Sequence, residues 1–217
     1  MVMKTDRSKV KRIPKRGAYD AATINRILDK EFICQIGFVH KEHPVVIPTI
    51  YGRKNDTLYF HGANVSRMLQ SLEGGINLSL NVTRTNALVL ARSAFHHSLN
   101  YESVTLFGRA ELVEDQAEKI EALHIISDQI LKDRWEEVRQ PNQKELNVTK
   151  VLKFSIGEGS AKIRNEGVGD DKVDYELDIW AGLVPIERTY GTPISDPLLK
   201  KDTRISQSVL NIKDEKL

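Results

Sequence analysis

The sequence predicts a mainly β (α+β) fold, an antiparallel β-barrel, closed or nearly so, with helices across its ends. Three observations carry this. Segments of alternating apolar and polar residues recur at short spacing, turn-forming residues separate them, and only two or three stretches keep a helical period. A doubly wound parallel sheet would need regular alternation of strand and helix, which is absent.

The elements follow in order. Residues 1–17 carry Lys4, Arg7, Lys9, Lys11, Arg12, Lys15 and Arg16 against one acid, Asp6, and offer little to bury, so a mobile arm or one draped over another subunit is expected. Asp20 is placed to cap a helix whose Ile24, Ile27 and Leu28 share one face, ending near Asp29. Three extended segments come next, Phe32 to Val39, Val45 to Arg53 and Thr57 to Gly62, read as an antiparallel meander. Met68, Leu69 and Leu72 then give a helix of about two turns, with Ser66 at its cap and Glu73-Gly74-Gly75 ending it.

Ile76 to Thr83 alternates without a fault and is the clearest strand in the chain. Leu88 to Ala91 is a weaker one. Val104 to Leu112 follows, with Gly108 as a bulge or a point of close approach. A long amphipathic helix from Asp115 to about Asp133 is expected to lid the barrel, and Val148 to Ile156 gives the last long strand. Ser160 to Arg164 leads into an acidic loop, Trp180 to Pro185 closes the ordered part, and no repeat or low-complexity tract occurs.

Composition narrows function. With 32 basic and 30 acidic residues the net charge is +2, which gives no field to hold a polyanion or a membrane surface, so neither nucleic acid nor membrane is an expected partner. The single cysteine, Cys34, lies in an apolar run and reads as a buried, inert thiol. No apolar stretch approaches the ~20 residues of a membrane span and no signal segment is recognisable, so the cytoplasm is the default location.

Chemistry concentrates where the third extended segment meets the short helix. Backbone N–H groups, the Ser66 hydroxyl and the Arg67 guanidinium together would suit a phosphate, while a serine cap followed by a solvated arginine remains the alternative. His61 ends its strand beside Gly62, where a ring can reach a pocket and a ligand can approach the backbone, although a structural histidine is the commoner case. Asn77, Ser79, Asn81 and Thr83 share one face of the clearest strand, a row of neutral donors and acceptors or simply its solvent face. Asn100-Tyr101-Glu102-Ser103 can add hydroxyls to such a pocket, and Trp180 can stack on a planar ligand or bury apolar area. His96-His97 has the look of a metal pair, but neighbours on an extended segment point to opposite faces and no acid follows at ligand spacing, so no metal is assigned. Nucleophile elbow, triphosphatase phosphate loop and dinucleotide glycine fingerprint are all missing.

Taken together, these motifs resemble the pyridoxamine 5′-phosphate oxidase-like flavin-binding proteins, in particular the nitroimidazole-resistance branch. The likeness runs from Lys15-Arg16-Gly17-Ala18-Tyr19-Asp20 to Trp180-Ala181-Gly182. It is carried by Val46-Ile47-Pro48-Thr49-Ile50-Tyr51, Leu58-Tyr59-Phe60-His61-Gly62, Ser66-Arg67, Asn100-Tyr101-Glu102-Ser103-Val104 with Gly108, Val113-Glu114-Asp115 and Ser160-Ala161-Lys162-Ile163-Arg164. The resemblance implies a six-to-seven-stranded split β-barrel of Greek-key type, a homodimer with flavin mononucleotide (FMN) at the subunit interface. It divides the chain into a basic arm (1–17), a single FMN-binding domain (18–190) and a peripheral tail (191–217).

By that likeness Ser66 and Arg67 would bind the phosphate and Ile47, Pro48, Thr49 and Ile50 would line the isoalloxazine edge. Ser103 and Trp180 would approach from the other subunit, with Gly62, Met68, Asn81 and Tyr101 as further cofactor contacts. His61 is implied as the group facing flavin and substrate, the catalytic residue expected here. Relatives usually carry lysine where Met68 stands, which removes one positive charge, and arginine where Glu102 stands, which would repel an anionic substrate. Oxidation of pyridoxamine phosphate is therefore not expected. The resemblance implies an FMN-dependent oxidoreductase acting on a small molecule, with NADH or NADPH as electron donor. The alternatives are a flavin carrier or sensor without turnover, and a haem-binding split-barrel protein, for which six histidines are available.

Overall fold

The computed structural model describes residues 3–212. The described chain forms ten strands and five α-helices, and every recorded strand pairing is antiparallel. It falls into two compact units, each assembled from three separated segments.

One unit comprises the chain through Glu31, Ser79–Phe107 and Gly157–Glu187. It holds β1 (Gly17–Ala18), α1 (Ala21–Leu28), most of β6 (Asn77–Leu90) and of β7 (Ser98–Leu112), β9 (Gly159–Arg164) and β10 (Gly182–Pro185). The Asp20 carboxylate accepts from the Thr23 N–H at 2.8 Å, satisfying a donor that the first helical turn leaves open, and α1 buries Ile24, Ile27 and Leu28. β9 pairs with β1 and with β7 in register Ser103↔Lys162, while β10 pairs with β6 in register Leu183↔Val89. Leu80, Val82, Val89, Val104, Leu106 and Ala161 are buried from these strands.

The basic arm is docked, not mobile. Met3 and Ser8 are buried, the Gly159 N–H donates to the Met3 carbonyl at 3.1 Å, and Arg7 pairs with Glu158. The two residues of the arm that it buries, Met3 and Ser8, are uncharged, and a count of its charges does not reveal them.

The other unit comprises Phe32–Leu78, Gly108–Ile156 and the segment from Arg188. It holds β2 (Ile33–His40), β3 (His43–Ile50), β4 (Gly52–Lys54), β5 (Thr57–Ala63), α2 (Arg67–Glu73), α3 (Gln116–Ile130), α4 (Gln143–Val148), β8 (Thr149–Ser155) and α5 (Gln207–Asn211). β2 and β3 form a hairpin closed by His40↔His43, and β5 pairs with β4 on one side and β8 on the other. β3 is an edge strand, which suits Pro44 and Pro48 because neither has an N–H to donate. α3 is capped by Asp115, whose carboxylate accepts from the Glu118 N–H at 2.7 Å, and lies against β4, β5 and β8. Cys34 is buried in β2, where desolvation pushes its thiol up to about 12, so it is inert as expected.

The strand count exceeds the expected six or seven for identifiable reasons. The segment Val45 to Arg53 breaks at Tyr51, which is fully buried, so its end becomes β4 and turns to β5. Short β1, β9 and β10 acquire their pairing only from distant partners. In the opposite sense, Ile76 to Thr83 and Leu88 to Ala91 merge into the single β6, and Asn100–Ser103, ahead of the strand expected from Val104, already belong to β7. Among the described residues, no helix is long and apolar enough to cross a membrane.

Candidate functional site

The expected site residues fall in both units. In the unit that contains β5, His61 pairs in register with Val151 and Gly62 with Lys150. The His61 Nδ1 is buried with no hydrogen-bond partner, and desolvation lowers the imidazole pKa from its ordinary value. The ring is therefore neutral at neutral pH, with a nitrogen still to be satisfied. A Cβ at Gly62 would stand 3.0 Å from Leu69 Cδ1, so this glycine permits the close approach of β5 and α2.

Ser66 occupies the N-cap position of α2, yet its side chain makes no capping bond. The hydroxyl is unspent, so the serine cap anticipated from the sequence does not form. Arg67 is exposed, and among the described residues its guanidinium has no ion-pair or hydrogen-bond partner. Met68 is only 6% exposed and belongs to the inner face of α2 with Leu69 and Leu72, so its side chain serves the core. Ile47 and Thr49 are half-buried on β3, and Pro48 and Ile50 are exposed.

In the other unit, Asn81 is committed to its neighbour strand, its amide donating to the Val104 carbonyl at 3.1 Å and to Thr105 Oγ1 at 3.0 Å. The Ser103 hydroxyl donates to the Lys162 carbonyl at 3.4 Å, and Tyr101 stands opposite Arg164. Trp180 is 67% exposed, with its ring folded over Gly182. Glu102 differs from expectation: Arg26 Nη2 of α1 lies 2.6 Å from its Oε1 and Lys30 Nζ, just past that helix, 3.8 Å from its Oε2, so its charge is compensated and is not left to repel an anion. His97 turns its Nε2 to the Ala91 carbonyl at 3.2 Å, away from the histidine beside it.

Sequence reasoning missed a cleft of about 360 Å³ beside Arg67, lined by Val39, His40, Lys41, Arg67, Gln70, Ser71 and Ile76. The hairpin tip between β2 and β3 supplies three of these side chains and α2 another three. The Ser71 hydroxyl donates to the Arg67 carbonyl at 2.9 Å and is in hydrogen-bond contact with His40 Nδ1, also 2.9 Å away. Lys41 is exposed and, among the described residues, has no anionic partner.

A mainly antiparallel sheet with few flanking helices, and a short helix after β5 that presents an unspent hydroxyl and a free guanidinium, defines the split-barrel class. A family model described as pyridoxamine 5′-phosphate oxidase matches residues 20–163, and the chain belongs to that family. Two solved structures are similar over nearly its whole length and a third over about two thirds of it. The flavocytochrome Anf3 from Azotobacter vinelandii is 36% identical, with a TM-score of 0.90 over 96% of this chain and 97% of that one. The FAD and haem binding protein from Mycobacterium smegmatis is 32% identical, with a TM-score of 0.88 over 91% and 97%. A chain from Bacteroides thetaiotaomicron described as a candidate 5-nitroimidazole antibiotic resistance protein is 27% identical, with a TM-score of 0.57 over 68% and 86%. No curated protein matches this sequence.

Proposed function

We propose that this chain is a flavin-dependent oxidoreductase that acts as a homodimer and carries haem as a second prosthetic group. The observation that carries the reading is the likeness, end to end, to one protein described as a flavocytochrome and another described as binding FAD and haem. The residues present fit a flavin. Arg67 and Ser66 hold uncommitted donors suited to a phosphate, and His61 offers a neutral ring with an unpartnered nitrogen. Bound flavin supplies the electron or hydride transfer.

The chain's own groups then have separate tasks. Arg67 and Ser66 anchor the phosphate, Ile47 to Ile50 lie along the ring edge, and His61 holds or delivers a proton at Nδ1. Dimerisation is supported by the apolar side chains that each unit leaves in water: Val46 is 69% exposed in one unit and Trp180 67% in the other.

The purified protein is expected to be yellow, with flavin absorbance, a Soret band, and a dimer mass by light scattering. Acid release followed by chromatography identifies the flavin as FMN or FAD, and anaerobic bleaching by NADH or NADPH identifies the donor. Arg67→Ala is expected to weaken flavin binding by about 1.5–3 kcal/mol, roughly 10- to 100-fold. A colourless protein whose addition leaves the fluorescence of FMN and FAD unquenched would refute the flavin reading. Bound flavin that neither nicotinamide reduces favours a carrier without turnover.

A further inference from the structure

We infer that His96, Asp171 and Asp174 form a binding site for a divalent first-row transition metal, with zinc the cation that fits best. The site uses none of the residues assigned above to flavin or substrate, so it stands or falls separately from that reading.

In the sequence no acid follows His96-His97 at ligand spacing; the fold brings two, from 75 and 78 positions further along the chain. His96 ends a short 3₁₀ turn, Ala94–His96, while Asp171 precedes a second such turn, Lys172–Glu176, and Asp174 lies within it. Both turns belong to the same unit of the chain. One ligand atom from each of the three residues lies within 4.8 Å of the other two, and His96 Nε2 stands 3.6 Å from Asp171 Oδ2. Tetrahedral ligands about 2.0–2.2 Å from zinc stand about 3.4 Å apart, so His96 and Asp171 are close to that spacing and closure of the set takes movements of about 1.5 Å or less. The Asp171 side chain is 78% exposed, so it is free to turn and an ion enters from water without any opening of the fold.

The two turns are tied together from beneath. The Asp170 side chain is wholly buried, and its carboxylate accepts from the Arg92 N–H at 3.0 Å, from the Ser93 N–H at 3.3 Å and from Arg92 Nη1 at 3.3 Å. The Arg92 guanidinium also lies over the Tyr175 ring, 4.8 Å from its centroid. The residue before Asp171 and the residue after Asp174 are thus both held by the arginine that leads into the His96 turn. Ser93 caps that turn, its hydroxyl accepting from the Phe95 N–H at 3.3 Å. His97 is turned to the Ala91 carbonyl, which leaves His96 as the histidine that meets the acids. A frame of this kind sets the ligands before the ion arrives.

Charge and donor type decide the class of ion. Among the described residues, neither the Asp171 nor the Asp174 carboxylate has a lysine or arginine partner, so two negative groups gather at one imidazole with no cation to balance them. A nitrogen among the ligands turns the preference away from calcium and magnesium, which take oxygen, and toward zinc and its first-row neighbours. Three protein ligands leave the fourth position of a tetrahedron to water.

The test is calorimetric titration of tag-free, chelator-stripped full-length protein with zinc chloride and with calcium chloride, for wild type, His96→Ala, Asp171→Asn and Asp174→Asn, with Asp178→Asn as the control. Wild type is expected to bind one zinc per chain at this site and to prefer zinc to calcium, each of the three ligand variants to weaken that zinc at least about tenfold, and Asp178→Asn to stay within about twofold. Far-ultraviolet circular dichroism of all variants is expected to match wild type, because the three side chains reach solvent. Cobalt in place of zinc is expected to give a visible absorption band that His96→Ala abolishes. Wild-type protein that takes up no zinc at about 1 mM, zinc bound equally by wild type and the ligand variants, or calcium bound more tightly than zinc overturns the inference, and none of these results touches the flavin reading.

Discussion

Gly52 opens β4 directly beneath α3, and replacing it with alanine tests how tightly that helix is seated. An added Cβ would stand 2.7 Å from Ile125 C and O and 2.7 Å from Ile126 Cα. These are backbone atoms inside a helix, so no rotamer change relieves the clash, and α3 would have to lift by several tenths of an ångström. It is pinned against that movement. The Arg53 N–H donates to Gln129 Oε1 at 3.2 Å, Lys54 pairs with Glu121, and Ala122 packs with Val113 and Val151 in a buried cluster. Overpacking of this kind costs about 1–3 kcal/mol, which for a chain of this size lowers Tm by roughly 2–12 °C. The assay is urea and thermal unfolding of Gly52→Ala beside Gly157→Ala. At Gly157 an added Cβ meets nothing within 4 Å, so alanine there is expected to be neutral or stabilising by up to about 1 kcal/mol. Equal stabilities of the two variants would refute the argument that α3 seats on a glycine.

Two further outcomes follow from buried polar groups. Burial holds the His61 pKa below its ordinary value, so the unfolded chain binds the proton more readily than the folded one. Stability conferred by the neutral ring is therefore complete above the unfolded histidine pKa, falls as pH drops below it, and levels off under the depressed folded value. Urea unfolding from pH 8 to about pH 5 should show wild type losing stability relative to His61→Asn, and parallel profiles would contradict it. Asn100 is 2% exposed and accepts from Arg164 Nη1 at 2.5 Å and from the Glu166 N–H at 3.1 Å, while donating to the Glu166 carbonyl at 3.0 Å. Asn100→Ala leaves a buried guanidinium short of an acceptor and is expected to cost about 2–4 kcal/mol, read as a lower urea midpoint. A loss below about 0.5 kcal/mol would mean that the loop after β9 repacks freely.

Local signals were legible where local chemistry decides the outcome. Asp20 and Asp115 sit three residues before the N–H groups they accept from, and that spacing is written in the chain. Alternation from Ile76 onward marks the start of β6 because its apolar side faces a core. The rest of that strand was not legible: Arg84, Thr85 and Asn86 interrupt the pattern, while the backbone ladder, which is indifferent to side chains, continues through them. The break after Ile50 was not legible either: Tyr51, the only aromatic residue of Val45 to Arg53, is fully buried at the point where β3 gives way to β4, and alternation alone does not mark that change. The docking of the arm likewise depends on Gly159, more than 150 residues away.

The candidate site divides along the same line. Ser66, Arg67 and His61 were visible as a strand-to-helix junction, and the structure adds what spacing cannot carry: the hydroxyl caps nothing, the guanidinium is free among the described residues, and the ring is desolvated. Lys41 and His40 read in the sequence only as a connection between two extended segments, because only the closed hairpin brings them to α2. One signal was present, since a two-residue hairpin loop built of Lys-Glu and not Asn-Gly gives up turn stability at a position where glycine would cost nothing. Met68, by contrast, is given to the core, and its place on the buried face of α2 with Leu69 and Leu72 is written in their helical spacing.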